Sequence, residues 1–250
     1  MTGMRYAIFF VPPRDGALYR FGAAALGYDA YSGEDTASLS GDGINAAEWH
    51  KLTAEPRRYG FHATLKAPFR LREGVTEHEL IAAIAPFAAG QIAPPRFAAS
   101  IALLDDFAAL IPAAPVPALD RLAAGCVEAF DRFRAPLTDN DRSRRLAQPL
   151  TARQVVHLER WGYPYVLEDF RFHMTLTGRL SAERAPQVLE FLHRTLKRTP
   201  VPAGIAVESI ALLRQDAADA RFRVIAGAAL GAMPDTLHDA MADDRIAAHG

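Results

Sequence analysis

Two short segments of the chain carry histidine and threonine in the same pattern. The first reads FHATLK over residues 61–66, and the second reads FHMTLT over residues 172–177. Imidazole exchanges protons near neutral pH, and a hydroxyl group donates hydrogen bonds to anionic oxygens. The two segments together could therefore supply a base, an acid and two hydrogen-bond donors for a reaction at phosphorus.

The alternation of polar and apolar residues in both segments is typical of a β-strand with one buried face. Side chains of a strand point alternately to opposite sides, which predicts two polar faces. These faces carry His62, Thr64 and Lys66 in the first segment, and His173, Thr175 and Thr177 in the second. One neutral histidine would take a proton from water or a hydroxyl group, while the other, protonated, would give one to the leaving oxygen. The threonine hydroxyls would bind the non-bridging phosphate oxygens, with Lys66 or Arg171 adding a charged contact.

A third segment with the same letters provides a comparison within the chain. LHRTLK, residues 192–197, also places threonine two positions after histidine. Its apolar residues recur at helical spacing, and two positions along a helix turn a side chain by about 200°. We therefore assign His193 and Thr195 to a helix without a chemical role.

Composition limits the classes of partner. The 250 residues carry a formal net charge of −1, so there is no broad basic charge for a long nucleic acid, and a small phosphorylated substrate is the expected ligand. The single cysteine, Cys126, predicts a reducing, cytoplasmic location. No apolar run is long enough to predict a membrane-spanning helix. The oligomeric state is left open.

The sequence contains none of the common local signatures for metals and nucleotides. Histidines and cysteines do not occur at zinc-site spacing, and neither GxxxxGK[ST] nor a strand-linked GxGxxG is present. We therefore predict no metal and no cofactor.

The order of predicted elements is similar in the two halves: helix, motif strand, helix, then two strands. Motif strands are predicted over 59–67, ended by Pro68, and over 170–177, ended by Gly178. Residues 28–57 and 135–150 read as polar surface connections. The pattern predicts a single bilobal α+β domain with an N-terminal lobe over 1–114, a C-terminal lobe over 115–230 and a tail over 231–250.

With these motifs, the chain resembles the 2H phosphoesterase superfamily, which carries two His-x-Thr motifs. It is similar in particular to the DUF1045 branch of phosphonate-metabolism proteins, through RYGFHATLKAPF (58–69) and EDFRFHMTLTGRL (168–180). The resemblance implies a pseudo-two-fold fold of antiparallel sheets flanked by helices, with a cleft between the lobes. It implies His62 and His173 as the acid–base pair and Thr64 and Thr175 as phosphate ligands.

The activity that the resemblance implies is metal-independent opening of a small ribosyl or nucleotide cyclic phosphate in organophosphonate metabolism. The expected substrate-binding residues are Lys66, Arg171, Thr177, Arg58 and Tyr59. Two alternatives use the same cleft: a non-catalytic module that binds a phosphorylated ligand or an RNA end, and an activity like that of 2′–5′ RNA ligases. The arginine-bearing segments at 55–58 and 141–145 motivate the binding alternative.

Overall fold

The computed structural model describes residues 3–41, 43–201 and 204–231, so the predicted tail lies outside the described residues. The strands in these ranges are Arg5–Phe10 (β1), Tyr28–Asp29 (β2), Glu34–Asp35 (β3), Ala63–Phe69 (β4), Ala99–Leu104 (β5), Phe107–Pro112 (β6), Met174–Arg179 (β7), Ser209–Gln215 (β8) and Arg223–Ala229 (β9). The helices are Ala17–Leu26 (α1), Ala46–Leu52 (α2), Ala54–Arg57 (α3), Glu77–Ala82 (α4), Ile84–Ala89 (α5), Pro117–Ala129 (α6), Asp139–Leu146 (α7), Ala152–Trp161 (α8) and Ala185–Arg198 (α9). The predicted α+β class, an antiparallel sheet flanked by helices, is confirmed.

One sheet runs through both halves of the chain. Its strand order is β5-β6-β7-β4-β1-β8-β9, and each neighbouring pair is antiparallel. The two motif strands, β4 and β7, are neighbours in the middle. The β5–β6 hairpin from the first half pairs with β7, whereas the β8–β9 hairpin from the second half pairs with β1. The two halves of the sequence have thus exchanged hairpins, and the division at residue 114 stays a prediction.

Local sequence signals define several helix ends. Helix α1 ends at Gly27, which adopts φ 69° and donates its N–H to Ala23, a conformation that favours glycine. Thr76 and Thr151 each form a reciprocal capping box, with Glu79 and Gln154 respectively. These side chains satisfy backbone donors at the helix starts, so the helices begin at defined positions.

The two predicted surface connections are more ordered than the sequence indicates. Within 28–57 lie β2, β3, α2 and α3, and Trp49 of α2 is fully buried, with its indole N–H donated to the Ala25 carbonyl at 2.7 Å. Within 135–150 lies α7, capped by Thr138. The prediction of structureless connections was wrong, because helices of seven or eight residues are too short to display a clear apolar period.

The apolar side of each motif is buried as predicted. Phe61, Ala63 and Leu65, and in the second motif Phe172, Met174 and Leu176, belong to the main hydrophobic core. Phe61 packs so closely on α1 that a Cβ at Gly22 would lie 2.0 Å from its ring. Only glycine at this point of α1 allows the approach, which fixes the first motif against the helix.

The motif strands begin and end later than predicted. Strand β4 starts after Gly60 (φ 74°) and runs through Pro68 to Phe69, and β7 likewise continues past Gly178. Pro68 is tolerated because it lies at a β-bulge: Tyr6 and Ile8 of β1 pair with Phe69 and Lys66, so the extra residue of β4 falls between them.

Candidate active site

The site lies at the seam between β4 and β7, which meet at the single ladder pair Ala63↔Met174. Because this pair is antiparallel, the register places His62 across from Thr175, and Thr64 across from His173. These four side chains point to the opposite side of the sheet from the buried pair. Directly opposed residues have Cβ atoms about 5 Å apart, so the seam groups both predicted His-Thr pairs around one small area.

His62 has a fixed ring orientation. Its Nδ1 lies 2.8 Å from the carbonyl oxygen of Gly60, and its Nε2 lies 3.2 Å from Thr64 Oγ1. A carbonyl can only accept a hydrogen bond, so Nδ1 carries the proton and Nε2 of the neutral ring has a free lone pair. Thr64 therefore donates to Nε2, and Nε2 is the atom available for proton transfer.

His173 repeats this arrangement in the second motif. Its Nδ1 lies 2.7 Å from the carbonyl oxygen of Arg171, which again stands two residues before the histidine. The same tautomer follows, with Nε2 free to accept or donate a proton. In both motifs the histidine directly precedes the strand, where the backbone carbonyl two positions back remains available to hold its ring.

Aromatic rings enclose the first histidine. The Phe9 ring stacks on His62 at 3.8 Å and 22°, and Tyr59 lies 6.0 Å away. Tyr59 in turn stacks on Phe222 at 5.3 Å. His173 has one ring neighbour among the described residues, Phe107 at 5.7 Å. The cleft is thus apolar on the β1 side and more open on the β6 side.

Burial lowers the pKa of both imidazoles. It lowers the pKa of His62 to about 4, against the raising effect of the Gly60 carbonyl, and the nearby His173 ring lowers the pKa further. Burial also lowers the pKa of His173, and the Arg171 guanidinium contributes in the same direction. Both rings are therefore neutral near pH 7 in the ligand-free protein. An anionic phosphate in the cleft would favour protonation of one of them.

Three further predicted site residues border the cleft. Tyr59 faces His62, and Arg171 is exposed beside His173, close enough to affect its pKa. Arg58 is exposed and donates to the carbonyl of Ala218 in the β8–β9 connection. In the described part of the chain, neither Arg171 nor the Thr175 hydroxyl has a side-chain partner, so both are available to a ligand.

Lys66 is not with the histidines. At the second bulge of β4, Phe9 pairs with Thr64 and Ile8 pairs with Lys66, so Thr64 and Lys66 lie on opposite faces of the sheet. The predicted shared face was wrong, because the bulge interrupts the alternation. Lys66 is 3% exposed, and its ammonium group donates to Val127 O at 2.9 Å and lies 3.3 Å from Asp131. Burial lowers its pKa to about 8.

Thr177 is likewise directed into the sheet. The β6–β7 ladder is irregular between Phe107 and Ala109, which pair with Arg179 and Thr175, and Thr177 lies between these two partners on β7. Its fully buried hydroxyl accepts the Ala108 N–H at 3.0 Å and donates to the Gly178 carbonyl at 2.9 Å. Both hydrogen bonds of this hydroxyl are made within the sheet. The prediction that Thr177 binds substrate was therefore wrong.

Two aromatic residues of the site are not identifiable from the sequence. Phe9 and Phe222 belong to strands or turns that reach the motif only through non-local pairing, and neither stands in a motif. The sole sequence signal is the alternation in RYAIFFV, which places Arg5, Ala7 and Phe9 on one face of β1.

The described residues form neither a cluster of metal-ligating side chains nor a helix suited to a membrane. No group of three or more His, Cys, Asp or Glu is arranged there to hold a metal ion. None of the helices in those ranges combines the length and apolarity needed to cross a bilayer.

A family model matches most of the chain. A family model described as "Protein of unknown function (DUF1045)" matches residues 64–223. This range exceeds half of the chain, and the chain belongs to this family. The matched range contains Thr64, His173 and Thr175 and starts two residues after His62.

Two curated relatives share a name. A "Ribose 1,5-bisphosphate phosphokinase PhnN" from Janthinobacterium sp. (strain Marseille) is 44% identical over 176 residues, which cover 70% of this chain and 39% of the relative. The protein of the same name from Laribacter hongkongensis (strain HLHK9) is 35% identical over 221 residues, covering 88% of this chain and 50% of the relative. The chain therefore spans half or less of the length of these relatives.

Among solved structures, a conserved protein of unknown function from Agrobacterium tumefaciens str. C58 matches 92% of this chain and 87% of its own. The TM-score is 0.44 and the identity 11%, values too low to establish a shared fold.

Proposed function

We propose that the chain is a metal-independent cyclic phosphodiesterase of the 2H type, which opens a small ribosyl or nucleotide cyclic phosphate. The observation that supports this most strongly is the repeated histidine geometry. In both motifs a backbone carbonyl holds Nδ1 and leaves Nε2 available, and the register places His62 and His173 on the same side of the seam. Two such histidines with threonine hydroxyls on the same side are suited to in-line attack at phosphorus.

In the proposed reaction, a water molecule attacks phosphorus and one ring P–O bond breaks. His62 Nε2 takes the proton from the attacking water as the new P–O bond forms, and His173 Nε2 gives a proton to the departing ring oxygen. Thr175 donates to the non-bridging oxygens, and so does Thr64 once its hydroxyl turns from His62 Nε2 to the ligand; negative charge on these oxygens increases in the transition state. The product is a phosphate monoester with a free hydroxyl, and atoms and charge balance without a further reactant.

The unequal environments of the histidines support these roles. His62 is stacked on Phe9 and has its pKa lowered to about 4, so it stays neutral and can accept a proton. His173 has only the tilted Phe107 ring beside it and lies on the more open side of the cleft. It is therefore the ring that a bound phosphate more readily protonates.

The substrate class follows from the relatives, whose printed name includes ribose 1,5-bisphosphate. Opening of a ribosyl 1,2-cyclic phosphate at O2 leaves a ribosyl 1-phosphate, the type of ester in that name. On that basis we propose that this chain acts in organophosphonate metabolism. The kinase activity in the name would need a phosphate-binding loop, and the chain has no GxxxxGK[ST]. We therefore place that activity in the part of the relatives outside the match.

The test is phosphorus NMR of the purified protein with a panel of ribosyl and nucleotide cyclic phosphates, with and without EDTA. We expect one cyclic resonance to be replaced by that of a monoester at the same rate in both conditions. Loss of turnover with EDTA would contradict the metal-independent mechanism. Binding of a cyclic phosphate without turnover would favour the non-catalytic module instead.

A further inference from the structure

A recess lined by basic residues lies beside the ends of β1 and β4 that carry Arg5 and Arg70. The basic residues that line it come from β1, β4 and the residue after it, the segment after α6, and α7: Arg5, Lys66, Arg70, Arg134, Arg144 and Arg145. The Lys66 ammonium group itself is buried against Val127 and Asp131. Asp141 is the only acidic residue in the lining, and Tyr163 contributes an aromatic wall. Arg144 and Arg145 belong to the arginine-rich 141–145 segment, which reads as solvated surface in the sequence and has no role in the proposed reaction.

The carboxylates near the recess do not balance its cations. Asp131 pairs with Lys66 and Arg134, and Asp141 pairs with Arg70 at 2.6 Å and with Arg144 at 3.0 Å. With the buried Lys66 left aside, these two negative charges are paired with three arginines, Arg70, Arg134 and Arg144, before Arg5 and Arg145 are counted. The recess keeps a net positive charge that its own ion pairs leave uncompensated.

Arg5 and Arg145 have no carboxylate partner in the described ranges of the chain. Arg5 Nε donates to the neutral amide of Gln215 at 2.7 Å, and Arg145 lies over the Tyr163 ring at 4.9 Å. Arg5 is partly buried, and burial lowers its pKa. A partly buried cation without a counter-charge is unfavourable on its own, and an anionic ligand in the recess would compensate it.

The recess is connected to the reacting groups. Arg5 and Phe9 lie on the same face of β1, four residues or about 13 Å apart, and an arginine side chain spans about half of that distance. The Arg5 guanidinium lies 5.7 Å from the Phe222 ring, which stacks on Tyr59, and Tyr59 borders His62. A sugar on this aromatic path would have its cyclic phosphate at the histidines and its far end at the arginines.

We propose that the recess is a second anion subsite, which holds a terminal phosphate on the same molecule whose cyclic phosphate reacts at His62 and His173. The assignment rests on the proposed function for the first phosphate and narrows the substrate to a sugar cyclic phosphate that carries a second phosphate group. One guanidinium group can bind two phosphate oxygens at once. Among the arginines that line the recess, Arg5 and Arg145 are the two without a carboxylate partner in the described residues.

The activity test compares two substrates that differ only in the second phosphate: ribosyl 1,2-cyclic phosphate with and without a 5-phosphate. We expect the wild-type protein to prefer the 5-phosphorylated form in kcat/KM by about tenfold or more, the value of one or two charge-assisted hydrogen bonds. Arg145→Gln should remove most of this preference without changing turnover of the unphosphorylated form. Arg121→Gln, which removes the same charge from the exposed surface of α6, should leave the preference intact.

Equal kcat/KM for the two substrates, or an equal loss in the Arg145→Gln and Arg121→Gln variants, would overturn the subsite. Helix α7 has no buried residue, so the Arg145 substitution leaves the core unchanged. Arg5→Gln provides a second variant, with circular dichroism as the check that it folds.

A binding measurement separates failure of the subsite from failure of the proposed reaction. Ribose 5-phosphate carries the terminal phosphate but no cyclic phosphate, and calorimetry measures its affinity whether or not the protein is a hydrolase. We expect binding that persists in His173→Ala and weakens about tenfold in Arg5→Gln and Arg145→Gln. Absence of binding, or weakening in His173→Ala alone, would contradict the subsite, whereas retained binding without any cyclic phosphate turnover would reject only the hydrolase.

Discussion

The two motifs share their letters and their main hydrogen bond but not their surroundings. In each, Nδ1 of the histidine donates to the carbonyl two residues before it. His62 also stacks on Phe9 and receives a hydrogen bond from Thr64. His173 lies beside the open edge of the cleft, with Arg171 as its charged neighbour. A duplicated motif therefore produces two histidines that share a tautomer and lie in different surroundings.

The motif therefore determines the tautomer of each histidine, whereas the neighbouring strand determines its surroundings, from which we infer its role as base or acid. The carbonyl comes from the motif itself, so both rings present Nε2. The ring at 3.8 Å comes from β1 and encloses His62 alone. Experiments that exchange or remove these neighbours should break the asymmetry in defined ways.

The largest effect is expected from removal of either imidazole. His62→Ala and His173→Ala should each lower kcat for a ribosyl cyclic phosphate by about 10²–10⁴-fold, the usual contribution of general acid or base catalysis. The double variant should lose little more than the worse single one, because the two groups act in one step. His193→Ala is the matched control, since its His-x-Thr lies on α9. A similar loss in that variant would show that the effect is unspecific.

A better leaving group should separate the acid from the base. A catechol cyclic phosphate needs less protonation of its leaving oxygen than a ribosyl one. The defect of His173→Ala should therefore shrink by about tenfold or more on the catechol substrate, while that of His62→Ala should persist. Stopped assays followed by phosphorus NMR measure both rates. Rescue of His62→Ala instead would reverse the assignment of roles.

The half-buried Thr175 and the fully buried Thr177 of β7 should differ in what their substitution affects. Thr177→Ala leaves the Ala108 N–H without its acceptor and should lower the free energy of unfolding by about 1–3 kcal/mol, with little change in kcat per folded molecule. Thr175→Ala should instead lower kcat/KM by about tenfold and leave stability within about 0.5 kcal/mol. Urea unfolding and steady-state kinetics on both variants check this. A lower kcat per folded molecule in Thr177→Ala would indicate instead that Thr177 binds the phosphate.

The smallest expected effect is a shift in the pH profile. The base must be neutral, so kcat/KM should rise with pH through the pKa of His62, near pH 4. The acid must be protonated, so kcat/KM should fall as pH rises through the pKa of His173, which lies below 6.5. Phe9→Leu should expose His62, raise its pKa and move the acid limb upward by about one unit. Phe107→Leu should move the alkaline limb instead, and a profile flat between pH 4 and pH 8 would contradict the paired mechanism.

The sequence predicted the elements whose signals are local. Strand alternation predicted the buried faces of both motifs, which carry Phe61, Ala63 and Leu65 in the first and Phe172, Met174 and Leu176 in the second. Helical spacing correctly separated His193 from the strand motifs, and the structure places it on α9.

Features that depend on pairing between distant strands were not predictable. The bulge that turns Lys66 away from Thr64 requires knowledge of the β1–β4 register, which no local pattern contains. Phe9 and Arg5 face the site because β1 lies beside β4 in the sheet. The recess combines side chains from β1, β4 and α7, so its charge excess cannot be seen in a chain whose net charge is −1.

The exchange of hairpins has a consequence for how the protein is made. Arg5 pairs with Gln215, and the β4–β7 seam joins Ala63 to Met174, so the centre of the sheet is held by contacts of high contact order. When only the first half of the chain has been synthesised, β4 still lacks its neighbour β7 and β1 still lacks its neighbour β8. Such topologies fold slowly and expose strand edges. We expect the catalytic seam to form late, after most of the polypeptide has left the ribosome, and a chaperone to shield β1 until then.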